Sequence, residues 1–163
     1  LTYELANSAA TTWTQVAGNE SNNSWDAYGH PAIPALINDG TTVYAGIGDG
    51  TGDAEVWAWD GNTWTKIGGD AVNSSWTLQT YESVLALAND GTSHVYAALG
   101  TGLGDGEVWQ YTTSTQTWSR IGGDSVNSSW AAGTFEGVYS LSFYGGNLYA
   151  GIGNSTNDGE VWR

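Results

Sequence analysis

The sequence predicts an all-β protein built from three repeats of one four-stranded antiparallel unit. Three observations carry that prediction. Tryptophans recur at fixed spacing: Trp13, Trp64 and Trp118 are 51 and 54 residues apart, Trp25, Trp76 and Trp130 repeat those intervals, and Trp57, Trp109 and Trp162 lie 52 and 53 apart. The apolar runs are short and rich in Val, Ile, Tyr, Trp and Thr, without the i, i+3, i+4 stripe of a helix. Turn residues fall at matching places, Asn38-Asp39-Gly40, Asn89-Asp90-Gly91 and Gly145-Gly146-Asn147, and Gly, Asn and Asp tolerate the positive φ of tight hairpins. The period is about 53 residues and covers essentially the whole chain.

In the middle repeat the strands are expected at 84–89, 94–100, 107–111 and 117–121. The runs 84–88 and 95–99 are apolar on both faces, so those strands belong to sheets covered on both sides. Small residues alternate with large ones there, which lets neighbouring sheets approach closely. Asp60-Gly61-Asn62 turns the third strand of the first repeat into the fourth. The third strand type occurs at 55–59, 107–111 and 160–163, and the fourth at 12–17, 63–67 and 117–121. The order along the chain is therefore 4, 1-2-3-4, 1-2-3-4, 1-2-3. That is three units, circularly permuted, with one split between the two ends. The boundaries read as a clasp over 1–18, a first unit over 33–67, a second over 84–121 and an incomplete third over 138–163. Residues 1–6 look like an additional strand of the third type.

Four-stranded antiparallel units at this period, covered on both faces, describe the blades of a β-propeller. Propellers close with about 4–8 blades, so three are too few, and an unpaired edge strand is sticky. The expected completion is in trans. Thr12, Trp13, Thr14, Gln15 and Val16 of one copy would pair beside Glu160, Val161, Trp162 and Arg163 of another. Reciprocal exchange gives a six-bladed dimer, and a rotation that does not close gives a head-to-tail filament.

One stretch is also familiar. Val-Trp-Gln-Tyr-Thr-Thr-Ser-Thr-Gln-Thr-Trp-Ser-Arg-Ile at 108–121, preceded by Val-Tyr-Ala-Ala-Leu-Gly at 95–100, resembles the kelch-type repeat. Asp60-Gly61-Asn62-Thr63-Trp64 is similar to the Asp-box turn of sialidase-like propellers, one residue short. The double Gly of kelch repeats is single here, in Leu99-Gly100-Thr101. The resemblance implies a propeller blade in all three repeats.

Three Lys+Arg stand against 17 Asp+Glu, a formal net charge of −14. Nucleic acid and anionic membrane surfaces are thereby disfavoured as partners, because both require basic patches. There is no Cys, hence no disulfide framework or thiolate metal site, and no Met. No apolar run approaches the roughly 20 residues of a membrane helix. The Asn/Ser/Thr/Gly/Trp-rich composition suits a secreted or cell-surface chain from which a signal peptide has been removed.

Candidate sites follow the repeat. Gly-Gly-Asp-x-Val-Asn-Ser-Ser-Trp occurs twice between units, giving Asp70, Asn73 and Trp76, then Asp124, Asn127 and Trp130, with Glu82 and Glu136 shortly after. An aromatic face with carboxylate and amide oxygens suits a carbohydrate site, one per blade. The same residues suit a structural role, with Trp filling a gap and Asn and Asp capping turns. Asp49, Asp53, Asp105 and Asp158 lie in Gly-rich loops that could offer oxygen ligands to Ca²⁺, though their spacing matches no calcium loop. Asn-x-Ser/Thr sequons, potential glycan acceptors, begin at Asn19, Asn22, Asn73, Asn127 and Asn154. The two histidines, His30 and His94, occupy different repeat positions and build no catalytic constellation. The sequence reading is thus a non-enzymatic, extracellular, self-assembling building block without cofactor, with other copies of itself as partners. A multivalent glycan-binding lectin is the alternative.

Overall fold

The computed structural model describes residues 12–26, 32–77, 81–102, 104–131, 135–153 and 158–163. Residues 1–11 of the expected clasp, the sequon residue Asn154 and His30 lie outside the described residues. The fold is all-β, made of curled antiparallel sheets. Among the described residues there is no α-helix, and no helix long and apolar enough to cross a membrane.

The first unit is the meander β1 (Ala35–Asn38), β2 (Val43–Ile47), β3 (Glu55–Trp59) and β4 (Trp64–Gly68). The second is β5 (Ser83–Asn89), β6 (His94–Gly100), β7 (Glu107–Thr112) and β8 (Thr117–Gly122). The third holds β9 (Gly137–Tyr144), β10 (Asn147–Gly153) and the short β11 (Glu160–Trp162). The second and third units share one sheet through a single bridge, Gly100 opposite Gly137. Each strand of the middle unit lies within one residue of its sequence-derived bounds.

The turns explain the hairpins. The Asp39 carboxylate accepts from the Thr41 and Thr42 backbone N–H groups at 2.9 and 2.8 Å and from the Tyr44 hydroxyl at 2.8 Å. Burial pushes that carboxyl up, but these hydrogen bonds outweigh it and settle its pKa at about 2. Asp90 does the same work between β5 and β6, also taking His94 Nδ1 at 2.6 Å. His94 is therefore a turn device. Gly145 and Gly146, at φ 58° and 80°, close the β9–β10 hairpin as a two-residue turn.

The first strands β1, β5 and β9 lie side by side. Close approach depends on glycine. A Cβ on Gly46 would stand 2.6 Å from Val84 Cγ1, and one on Gly100 would stand 2.4 Å from Gly137 Cα. Strand β6 is buried on both faces from Val95 to Gly100, as its apolar run requires. Register shifts opposite Val56/Trp57 and Val108/Trp109 leave Ile67 and Ile121 as extra residues, so the bulges lie in β4 and β8.

The expected fourth-type strand at 12–17 differs from its counterparts. It carries the same residue pattern but has no ladder partner among the described residues, and is therefore no strand. A strand needs a neighbour for its N–H and C=O groups, and the third strands β3 and β7, with which a fourth strand pairs, are already taken by β4 and β8. Residues 12–16 lie exposed along their whole length.

Candidate functional site

Each junction between units is organised by the loop after a fourth strand. In Gly69-Asp70-Ala71-Val72-Asn73-Ser74-Ser75-Trp76 the backbone is left-handed at Asp70, Ala71, Asn73 and Ser74. The loop holds that unfavourable shape with its own hydrogen bonds. Gly69 N–H donates to the Ser75 hydroxyl at 2.8 Å, Asn73 Nδ2 to the Ile67 carbonyl at 3.1 Å, and Ala71 N–H to the Trp76 carbonyl at 2.9 Å. The loops ending at Trp25 and Trp130 repeat all three bonds, through Gly18 and Ser24, Asn22 and Val16, and through Gly123 and Ser129, Asn127 and Ile121.

The loop delivers its tryptophan into the next unit. Trp76 is buried, donates Nε1–H to the Ala54 carbonyl at 2.7 Å, and meets Trp109 and Trp118 edge-on at 5.7 and 5.2 Å. Trp25 meets Trp57 and Trp64 at 5.8 and 5.2 Å. The fourth-strand indole then ties the joint back to the preceding unit. Trp118 Nε1–H donates to the Ile67 carbonyl at 2.7 Å, and Trp64 Nε1–H to the Val16 carbonyl at 3.0 Å. Trp118 packs against Gly68, where a Cβ would sit 3.1 Å from its Nε1.

The third joint is half built. Trp130 is buried, donates to the Gly106 carbonyl at 2.6 Å and meets Trp162 edge-on at 5.7 Å. No fourth-strand tryptophan faces it among the described residues. In its place is a cavity of about 350 Å³ lined by Val108, Ile121, Gly122, Trp130, Leu148 and Trp162, among others. The outer edge of β11 beside it has no ladder partner among the described residues, and Val161 is exposed.

Electrostatics repeat with the joints. Glu107 is buried at 2% exposure and accepts from Arg120 Nη1, Trp109 Nε1 at 2.8 Å and the Tyr81 hydroxyl at 2.8 Å. Arg120 also reaches Asp124 at 2.7 Å. In the first unit Lys66 holds Glu55 at 3.0 Å and Asp70 at 2.9 Å. Burial works against the Lys66 ammonium, but its hydrogen bonds to Asp70 and Glu55 prevail and raise its pKa, and the bond to Glu107 leads the rise at Arg120. The sequence reading missed these triads. Their signal was present: two of only three cationic residues stand two positions after a fourth-strand tryptophan.

The remaining candidates fall as follows. Trp76 and Trp130 keep their ring faces inside the joints, and Asp70 and Asp124 are engaged by Lys66 and Arg120. Asn73 and Asn127 donate within their own loops, while Asn19 and Asn22 are exposed. Glu82 accepts from the Thr101 hydroxyl, and the Glu136 carbonyl accepts from Thr101 N–H at 3.0 Å. Asp49 is exposed, Asp53 and Asp158 are half-buried, and Asp105 is buried, accepting from Gly102 N–H at 3.2 Å. Among the described residues no three acidic or histidine side chains converge as a metal site would need. No protein-family model matches the chain, and no curated protein matches it.

Proposed function

We propose that this protein is a non-enzymatic, secreted building block of β-propeller type that assembles with its own copies by exchanging an edge strand. The observation that carries the reading is a pair of complementary open edges on one chain. Residues 12–16 have the fourth-strand pattern without a partner, and β11 is a third strand without a fourth. The packing of the first strands β1, β5 and β9 beside one another supports the propeller reading. Two copies exchanging reciprocally bring six units together, inside the range of about 4–8 that closes, whereas three copies would bring nine. The closed form of this reading is therefore a dimer. The extracellular setting rests on the polar composition alone.

The test is the mass in solution by light scattering of the full chain and of Thr14→Pro/Gln15→Pro. The paired prolines remove ladder donors on both edges of the exchanged segment. Because that segment is exposed and unpaired, circular dichroism should show both proteins folded. A dimer that becomes a monomer with the prolines supports the reading, and threads by negative-stain microscopy would replace the ring with a filament. A full chain that stays monomeric at about 100 μM overturns it.

A further inference from the structure

The geometry points to the cavity between β8, β10 and β11 as the receptor for one side chain, Trp13 of a second copy. This deepens the strand-exchange reading and rests on it. Three independent features of the chain converge on that occupant.

The first is the repeat itself. Trp13 stands where Trp64 and Trp118 stand, one fourth-strand tryptophan per unit. Those two are buried at 3% and 4% exposure, while Trp13 is fully exposed at 103%. The chain thus presents two filled indole slots, one vacant slot and one unhoused indole. At about 350 Å³ the vacancy exceeds the roughly 150 Å³ that houses a benzene in an apolar cavity. Gly122 stands at its floor as Gly68 does beneath Trp118.

The second is an acceptor with an unused position. The carbonyl of Val16 accepts from Asn22 and from Trp64, and that of Ile67 from Asn73 and from Trp118. The equivalent carbonyl of Ile121 accepts from the Asn127 side chain but from no tryptophan among the described residues, and Ile121 lines the cavity. A carbonyl oxygen has two lone pairs. The missing donor corresponds to the indole N–H of the missing tryptophan.

The third is charge. Gln15 stands where Lys66 and Arg120 stand, and Asn19 where Asp70 and Asp124 stand. Where the other two units hold a cation and an anion, this unit holds two amides. Opposite them Glu160 keeps the carboxylate position of Glu55 and Glu107, with Trp162 Nε1 donating to it at 2.7 Å. In the exchanged joint the Gln15 amide supplies Glu160 with a neutral hydrogen bond in place of the ion pair used within the chain.

The experiment follows the dimer–monomer equilibrium of the full chain by light scattering on dilution, for wild type, Trp13→Ala, Trp13→Phe and Thr14→Pro/Gln15→Pro. Trp13→Ala should weaken the dimer about a hundredfold or more, as a central buried aromatic anchor does. Trp13→Phe should fall between, keeping a ring but losing the donor to Ile121. A Trp13→Ala dimer within about threefold of wild type, beside a proline variant that is monomeric, overturns the tryptophan slot and leaves strand exchange standing. A proline variant as dimeric as wild type overturns both.

Discussion

Replacing Arg120 with Leu tests whether the triads hold the units together or merely decorate them. Glu107 is almost fully buried, and three donors converge on it: Arg120, Trp109 and Tyr81. Removing one partner of a buried ion pair costs about 3–5 kcal/mol when the remaining charge is left uncompensated. Here two neutral donors stay in place, each worth about 1 kcal/mol net. The second arm, to the exposed Asp124, is worth close to nothing. The expected loss for Arg120→Leu is therefore about 2–3 kcal/mol, a sizeable part of the roughly 5–15 kcal/mol a domain possesses. Urea unfolding followed by tryptophan fluorescence at pH 7 measures it. Adding Glu107→Gln removes the stranded charge, so the double variant should recover part of the loss, with a coupling of at least about 1 kcal/mol. A loss below about 0.5 kcal/mol, or strict additivity, would refute the reasoning.

Three further outcomes are expected. Gly100→Ala drives a Cβ into the Gly137 backbone at 2.4 Å, which no rotamer relieves, and should destabilise by about 1–3 kcal/mol in thermal unfolding; an unchanged melting temperature would contradict the close approach of β6 and β9. Burial, reinforced by the carboxylates of Glu82 and Glu107, pushes the Asp105 carboxyl up to about 6. Between pH 4 and 6 the folded state then holds more protons than the unfolded one, so this group's contribution to stability is present at low pH and is lost as pH rises through that window. Asp105→Asn should accordingly match wild type near pH 4 and exceed it by about 1–3 kcal/mol at pH 8, and a pH-independent difference would count against the shift. Finally, Gln15→Lys/Asn19→Asp restores the triad at the exchanged joint and should tighten the dimer about three- to fivefold at low salt, with the gain shrinking in high salt. A dimer insensitive to the pair at all salt concentrations would mean that Gln15 does not reach Glu160.

Legibility in the sequence followed physical locality. Strands and hairpins were readable because β-branched and aromatic runs alternate with Asn-Asp-Gly turns, and each is decided by a few neighbouring residues. The joints were half readable: the equal intervals between Trp13, Trp64 and Trp118 mark one structural role, but not that Trp64 and Trp118 are buried while Trp13 is bare. Trp76 was readable in two ways, as an aromatic face for a sugar or as a filler between units, because a tryptophan in a Gly/Asn/Ser loop fits both. The left-handed backbone at Ala71 and Ser74 turns it inward, and neither residue type announces that conformation. Asp70 and Asp124 suited either a sugar hydroxyl or a turn cap, and neither reading included a cation. Only the register of the β3–β4 and β7–β8 pairs, which sets Trp57 opposite Lys66 and Trp109 opposite Arg120, brings the cations to Glu55 and Glu107, while Asp70 and Asp124 meet the same cations four residues along the chain. The segment 12–17 has every local property of a strand, yet pairing is a relation between two segments and cannot be read from one.

The acceptors at the joints are main-chain atoms, and this has a consequence for how the repeat can drift. Whatever side chain occupies position 16, 67 or 121, its carbonyl remains, and the chain already uses Val at one and Ile at the others. The receiving half of each joint therefore survives most substitutions at its own position. The donating half does not, because Trp alone combines a large flat hydrocarbon with a single N–H donor and no acceptor. Mutational tolerance is thus lopsided. Neighbouring units can vary the side chains at the accepting positions and still recognise one another, provided the indole stays.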